Sequence, residues 1–234
     1  MNIAIIPARG GSKRIPRKNI KDFLGEPIIS LVIKKLISSK IFDKIIVSTD
    51  DNEIANISIA SGVDRIIYRP YNLSNDHATT VPVISHAVST LNSEGCFPDY
   101  VCCVYPCAPF VDLVDLANGF EIVKSSDVSY VYPVTEYSHP IQRALRIKRN
   151  GSLEFVNPEH ELTRTQDLEK TFHDTGQFYW GKAISWLKDR KLHSNGLGII
   201  IPNWRVVDID TTDDWNRAEM IYTQLNNFKY KNVK

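Results

Sequence analysis

Ile6-Pro7-Ala8-Arg9-Gly10-Gly11-Ser12-Lys13-Arg14-Ile15-Pro16-Arg17-Lys18-Asn19 decides how this chain is read. The apolar residues 3–6 just ahead have the character of a buried strand, and Pro7 turns that strand into a loop with two adjacent glycines. Six basic residues (Arg9, Lys13, Arg14, Arg17, Lys18 and Lys21) fall within thirteen positions. Glycine permits close backbone approach, and successive N–H groups in such a turn make an anion-binding concavity. Cations around that concavity predict a polyphosphate site. Neither Gly-x-x-x-x-Gly-Lys-Ser/Thr nor Gly-x-Gly-x-x-Gly is present, so the loop is neither a Walker A loop nor a dinucleotide fingerprint. A basic cluster alone would suit a nucleic-acid backbone or plain solvent. The strand in front and the paired glycines favour the phosphate.

Composition narrows the classes. A chain of 234 residues fits one large domain, 1–234, carrying an inserted arm. The net charge of +1 means that acid elsewhere balances the basic loop, which argues against bulk nucleic-acid binding. No apolar run approaches the ~20 residues of a membrane helix, and residues 3–6 are too few for a signal-peptide core. The expected location is the cytoplasm. Cys96, Cys102, Cys103 and Cys107 match no zinc spacing and have no histidine among them. Cys102 and Cys103 are neighbours on an apolar strand, so they point to opposite faces and read as free buried thiols.

Outward from the loop, strands alternate with helices. Residues 2–6, 44–48, 64–68, 100–105 and 127–134 read as five strands. Residues 27–39 predict a helix with Pro27 in its first turn and Ile28, Leu31, Val32, Lys35 and Leu36 on one face. Thr49-Asp50-Asp51-Asn52-Glu53 is a strand end passing into a capped helix that runs to Ala60 and stops at Gly62. Thr79 or Thr80 should cap a helix to Leu91, with Pro82 tolerated in its first turns, and residues 112–125 form another. Short continuous apolar strands between helices signify an α/β fold with a parallel sheet covered on both faces.

That rhythm fails over residues 136–172. Residues 142–156 read as a β-hairpin around Asn150-Gly151, and a projecting hairpin needs a partner, most simply a second subunit. Residues 177–180 and 197–201 restore strands, with a helix near 182–188 between them. Residues 206–209 make a last strand or near-strand. Thr211-Thr212-Asp213-Asp214 then caps a helix to about Asn226, and residues 229–234 should fray.

In open α/β sheets ligands bind beyond the carboxyl ends of the strands. The first strand delivers the glycine loop there, the second Thr49 and Asp50, the third Arg69, and the fourth Tyr105 to Pro109. Asp208 and Asp210 stand at i and i+2, on one side of an extended backbone. Two carboxylates beside a polyphosphate suggest Mg²⁺. By spacing alone, capping of the last helix suits them equally well. Asp50-Asp51 reads as a helix cap. His173-Asp174-Thr175-Gly176 sits in a polar segment before a strand, where a histidine bonded to a carboxylate would serve as a base or a substrate ligand. The other histidines form no metal pattern.

These residues resemble the CMP-sialic acid synthetase family of cytidylyltransferases. The matches are Ile6 to Lys13 with Lys18-Asn19, then Ser48-Thr49-Asp50, Arg69-Pro70, and Asp208-Ile209-Asp210 with Asp213, in order along essentially the whole chain. Tyr105-Pro106-Cys107-Ala108-Pro109-Phe110 and His173-Asp174-Thr175-Gly176-Gln177-Phe178-Tyr179-Trp180 resemble the branch that activates pseudaminic acid. The N-acetylneuraminate enzymes tend to carry Gln-Pro-Thr-Ser-Pro where this chain has residues 105–109, and the family prefers a hydroxyl residue at Cys107.

The resemblance implies a three-layer α/β/α nucleotidyltransferase fold with a mostly parallel sheet and residues 136–172 as a dimerisation arm. It implies that CTP and a nine-carbon 2-keto sugar acid give the CMP-sugar and pyrophosphate, with Mg²⁺ as cofactor and a homodimer as the working form. It places Ala8, Arg9, Gly10, Gly11, Ser12, Lys13 and Lys18 on the triphosphate, Asn19, Arg69 and Thr80 on the cytosine, and Asp208 and Asp210 on the metal. Arg164 would meet the sugar carboxylate, and Tyr105, His173, Gln177 and Phe178 would line the sugar side. Arg9, Lys18, Asp208 and Asp210 would carry catalysis. N-acetylneuraminate or legionaminate is the alternative sugar. A non-catalytic nucleotide sensor on the same fold is the alternative class.

Overall fold

The structure is a computed structural model that describes residues 1–188 and 191–231. In chain order the first half comprises β1 (Asn2–Pro7), β2 (Asp22–Phe23), β3 (Glu26–Pro27), α1 (Ile28–Ser39), β4 (Lys44–Thr49), α2 (Asn52–Ala60), β5 (Arg65–Tyr68), α3 (Thr80–Ser93), β6 (Tyr100–Val104) and α4 (Leu113–Ser125). The second half comprises β7 (Tyr130–Glu136), β8 (Leu145–Ile147), β9 (Leu153–Phe155), β10 (Phe172–Asp174), β11 (Phe178–Lys182), α5 (Ala183–Leu187), β12 (Gly196–Ile200) and α6 (Thr212–Lys231).

The centre is an eight-stranded sheet. β5, β4, β1 and β6 are parallel neighbours in that order. β11 runs antiparallel between β6 and β7, and β12 adds parallel to β7. β10 also pairs antiparallel with β7, through Asp174 opposite Val134. Because Val134 pairs with Ile200 of β12 as well, β10 lies on the β11 side of β7. β10 and β11 are thus two halves of one antiparallel strand, broken at residues 175–177.

Alternation along each strand sorts the core into two layers. Ala4, Ile6, Val47, Cys102, Val104, Phe178 and Trp180 pack against α1 and α4, while Ile3, Ile5, Ile46, Cys103, Tyr130 and Tyr179 pack against α3 and α5. Cys102 and Cys103 are free, buried and on opposite faces. A third cluster joins Ile15, Phe23, Ile28, Leu31, Phe110, Val207, Ile209 and Trp215, and it clamps the glycine loop, α6 and the segment before α6 together. No helix among the described residues is long and apolar enough to cross a membrane.

Several expectations shift. Pro27 precedes α1 instead of sitting in its first turn. It closes a small β2–β3 hairpin whose turn residues Leu24 and Gly25 have φ of 55° and 100°. Thr79 occupies the α3 cap position, but its side chain makes no capping bond there. Residues 206–210 form no strand; Val207 and Ile209 are held by burial instead of by a ladder. α6 extends to Lys231, past the expected end at Asn226 and through the first residues of the expected frayed tail; residues 232–234 of that tail lie outside the described residues. The hairpin is present as β8 and β9, and Gly151 at φ 82° makes its turn.

Candidate active site

β1, β4, β5 and β6 end on one side of the sheet, and their loops enclose a cavity of about 260 Å³. Arg9, Ser12, Lys18, Asn19, Arg69, Thr80, Tyr105, Gln177 and Asp208 all line it, so nine of the side chains singled out by the sequence converge.

The glycine loop is set by its neighbours. Ala8 N–H donates to Ser48 O at 2.9 Å, which extends the β1–β4 ladder by one residue, and the Ala8 side chain is fully buried in the core. Ala8 is therefore a packing residue and not part of the lining. Gly10 N–H donates to Asp50 Oδ1 at 3.0 Å. A Cβ on Gly10 would lie 2.6 Å from Asp51 Oδ2, so glycine is required by close approach to the α2 cap. The expected phosphate cradle is thus narrower than two glycines: the Gly10 amide is already engaged. Gly11 has open space around it, and its N–H has no acceptor among the described residues.

The cations are wired individually. Arg9 donates to Asp76 Oδ1 at 2.6 Å, and Lys13, 80% exposed, pairs with the other oxygen of the same carboxylate at 2.5 Å, outside the cavity lining. Lys18 reaches Ile209 O at 2.6 Å and Asp210 Oδ1 at 3.4 Å; Arg14 takes Asp210 Oδ2 at 2.8 Å. Arg17 is held in the left-handed region (φ 56°) and clamps Asp51 and Glu53, so it serves the α2 N-terminus. The Arg17 guanidinium, with the Ile54 and Glu53 amides, lowers the Asp51 carboxyl to about 2.

The part of the cavity expected to take the nucleobase is built from buried polar groups. Asn19 is 7% exposed; its Nδ2 donates to Arg9 O at 2.8 Å, and its Oδ1 accepts the Cys107 thiol at 3.2 Å. Burial pushes that thiol up to about 12, so it remains a neutral donor. Arg69, 9% exposed, donates to Ser48 O and Leu73 O, while its buried Nε–H has no partner among the described residues. Desolvation lowers the guanidinium to about 10, which still leaves it cationic at neutral pH. Thr80 Oγ1 and Tyr105 OH share a hydrogen bond of 2.6 Å, and burial raises Tyr105 to about 12.

Asp208 opens into the cavity mouth with no cation or hydrogen-bond donor against its carboxylate among the described residues. Partial desolvation and the neighbouring Asp210 raise its pKa, with Lys18 opposing. Asp210 does not line the cavity; it is the anchor for Arg14 and Lys18. No group of three or more His, Cys, Asp or Glu suited to a metal occurs among the described residues. Two carboxylates of which one is unpaired do fit a cation held jointly with substrate phosphate, because Mg²⁺ typically takes only one or two protein carboxylates. α6 is capped by Thr211, whose Oγ1 accepts from the Asp214 amide, while the Asp214 carboxylate reaches back to the Thr211 and Asp210 amides, and this frees Asp208 from that role.

Of the residues expected on the sugar side, three do not join the cavity. Phe178 is fully buried on the α1–α4 face beside Trp180 and does not line the sugar side. It is Tyr179, one position along and so on the opposite face, that packs 5.5 Å from Tyr105. His173 sits on β10 against Tyr137, ring centroids 4.8 Å apart, with Nδ1 on Asp174 O at 2.9 Å. The histidine paired with the Asp174 carboxylate is His193, at 2.8 Å. Arg164 lies in the arm, 72% exposed and paired with Asp167. Conversely, Asp76, which no sequence motif singles out, anchors Arg9 and Lys13, and Asp50, expected to cap a helix, holds the Gly10 amide. Their roles depend on contacts made 67 and 40 residues away, for which the local sequence holds no signal.

Comparison with known proteins agrees with this geometry. A family model described as "Cytidylyltransferase" matches residues 3–230. The chain is 39% identical to the pseudaminic acid cytidylyltransferase of Campylobacter jejuni subsp. jejuni serotype O:2, over 94% of this chain and 96% of that protein. It is 28% identical to the CMP-N,N'-diacetyllegionaminic acid synthase of Legionella pneumophila, over 94% and 95% of the two chains. Its fold is that of a CMP:2-keto-3-deoxy-manno-octonic acid synthetase solved with CTP, with a TM-score of 0.70 over 95% of this chain and 98% of that one, at 15% identity. With the family model spanning residues 3–230 and 39% identity to such an enzyme over 94% of its length, this chain belongs to the cytidylyltransferase family of nucleotidyltransferases.

Proposed function

We propose that the protein transfers the cytidylyl group of CTP to pseudaminic acid, giving the CMP-sugar and pyrophosphate. The observation that carries this reading is the cavity at the carboxyl ends of the strands, which Arg69 and Asn19 line together with Arg9, Ser12, Lys18 and Asp208. The 39% identity to the Campylobacter enzyme supports pseudaminic acid over its congeners.

In this reading the anomeric hydroxyl attacks the α-phosphorus, a new P–O bond forms, the α–β bridge breaks and pyrophosphate leaves with its charge. The hydroxyl proton goes to solvent or to a leaving oxygen. Lys18, held by Ile209 O and next to Asp210, presents a fixed cation to the charge that builds on the phosphate oxygens. Arg9 and Ser12 orient the triphosphate, and the Gly11 amide adds a donor. Asn19 and Arg69 read the base: the unpartnered Arg69 Nε–H requires an acceptor, and cytosine offers O2 and N3. Asp208, with Asp210 behind it, would hold Mg²⁺, whose charge would polarise the phosphoryl oxygens when bound. The arm (136–172) would pair two subunits in a homodimer and bring Arg164 to the partner's sugar carboxylate. The compartment would be the cytoplasm, where CTP is made available.

The test is pyrophosphate release from CTP and Mg²⁺ against pseudaminic, legionaminic and N-acetylneuraminic acids in parallel. Turnover should be highest with pseudaminic acid. Preference for another of the three moves the assignment to that sugar, and no release with any of them removes the enzymatic reading.

A further inference from the structure

Gln177 lies in the break between β10 and β11, where the two halves of the antiparallel strand lose register with β7. Gly176, at φ 62°, makes the turn, and the Gln177 carbonyl is fixed by the Tyr105 amide at 2.9 Å. The side chain is 4% exposed and lines the cavity. Its Nε2 donates to Arg205 O at 2.8 Å. Arg205 in turn is immobilised, 16% exposed and paired with Asp112 and Asp115. A carbonyl oxygen can only accept, so the amide cannot be turned the other way round: the NH₂ is held by Arg205 O, and the oxygen is the uncommitted end of a side chain that lines the cavity. That oxygen, Oε1, is buried and has no hydrogen-bond partner among the described residues.

A buried acceptor without a donor is destabilising, and in a side chain that lines a substrate cavity a bound ligand is a direct source of the missing group. From this we infer that Gln177 is a specificity-determining residue whose Oε1 accepts a hydrogen bond from a neutral donor on the sugar acid, an acylamino N–H or a hydroxyl. The inference rests on the cytidylyltransferase reading and adds to it which sugar chemistry the site demands. A site built to accept from a substrate donor rejects analogues that lack it far more strongly than an apolar pocket rejects a misfit, because the site's own polar atom then remains unpaired. The neighbouring carboxylates and cations play no part in this contact, so the discrimination is insensitive to salt.

The test is Gln177→Met, which keeps length and bulk but removes both polar atoms, with its melting profile and CTP binding compared against the parent protein. The parent is first assayed with pseudaminic acid. If it does not turn over, the functional reading fails, whatever the variant does. If it does, the variant should lose about ten-fold in kcat/KM for the sugar while KM for CTP stays within about two-fold. A second sugar, a nonulosonic acid with hydroxyls in place of its acylamino groups, separates the sources. If the variant's penalty vanishes with that sugar, the donor is the acylamino N–H; if it persists, the donor is a hydroxyl. An unchanged kcat/KM for the sugar, or a penalty falling on CTP instead, overturns the inference. Should Gln177→Met fold poorly, Gln177→Leu serves as a second apolar replacement with the same expectations.

Discussion

At the scale of single residues, charge placement separates stability from activity. Asp208 gains little from its surroundings: Lys18 and Arg14 favour its charge, but partial desolvation and the neighbouring Asp210 outweigh them. Asp208→Asn should therefore leave the melting temperature unchanged or slightly higher, while pyrophosphate release falls by at least about a hundred-fold, a magnitude common for loss of a charge-stabilising group. A drop in melting temperature with activity intact would return Asp208 to a structural role. Asp51 behaves oppositely. Its folded pKa of about 2 lies below the ordinary value of 3.8, so it contributes stability that is complete above pH 5 and lost as pH falls through about 2. With Arg17 39% exposed and screened, that contribution is about 1–2 kcal/mol. Asp51→Ala should remove it together with a cap bond, and Asp51→Asn, which keeps the cap acceptor, should lose less; urea melts between pH 2 and 7 compare the two. The same scale shows what was legible. Asn19, Arg69 and Asp208 stand in a motif or at a strand end, and their positions in the cavity follow. Phe178 and Tyr179 differ only in the phase of a two-residue period, and a break at residues 175–177 resets that phase with no local mark.

Elements show how a legible motif can carry an illegible mechanism. Gly10-Gly11 announces a tight loop, yet the two glycines do different work. Neither has positive φ among the described residues; the strained loop position belongs to Arg17, which no propensity rule selects. Gly10→Ala drives a methyl into Asp51 Oδ2, at 2.6 Å, and disturbs the α2 cap and the Arg17 pair at once. It should cost about 2 kcal/mol, and less in an Asp51→Ala background, where the obstructing carboxylate is gone. Gly11→Ala meets nothing within 4 Å and should be neutral to stability. A double-mutant cycle by chemical denaturation measures the difference: additive losses would mean that Gly10 is required for another reason. The parallel half of the sheet was readable because continuous apolar strands alternate with helices. β11 was legible as a strand but not as an antiparallel one, since direction is set by the connection through α5 and β12 and not by residues 178–182 themselves.

For the whole molecule the arm is the deciding feature. Leu145 pairs with Phe155 and Ile147 with Leu153, so one face of the hairpin is an apolar ladder, 51% and 75% exposed at Leu145 and Ile147. The other face carries Arg146 and Lys148 on Glu154. A two-stranded hairpin with an uncovered apolar face is marginal by itself, so a second copy covering it is the economical solution. Light scattering should give about twice the 26.6 kDa of one chain. Ile147→Lys combined with Leu153→Glu keeps a favourable cross-strand pair but abolishes the apolar face, and should return the mass to one chain. A dimer in which each arm serves the neighbouring cavity makes a sharper demand. Arg164→Ala and Asp208→Asn should each be inactive alone, because every homodimeric site lacks one group. Co-expressed in equal amounts, half of the dimers are mixed, and one of their two sites combines an intact body with an intact arm. About a quarter of the parental activity should then reappear. If the mixture stays as inactive as its components, Arg164 works on its own chain or not at all, and the arm is an assembly device without a hand in the chemistry.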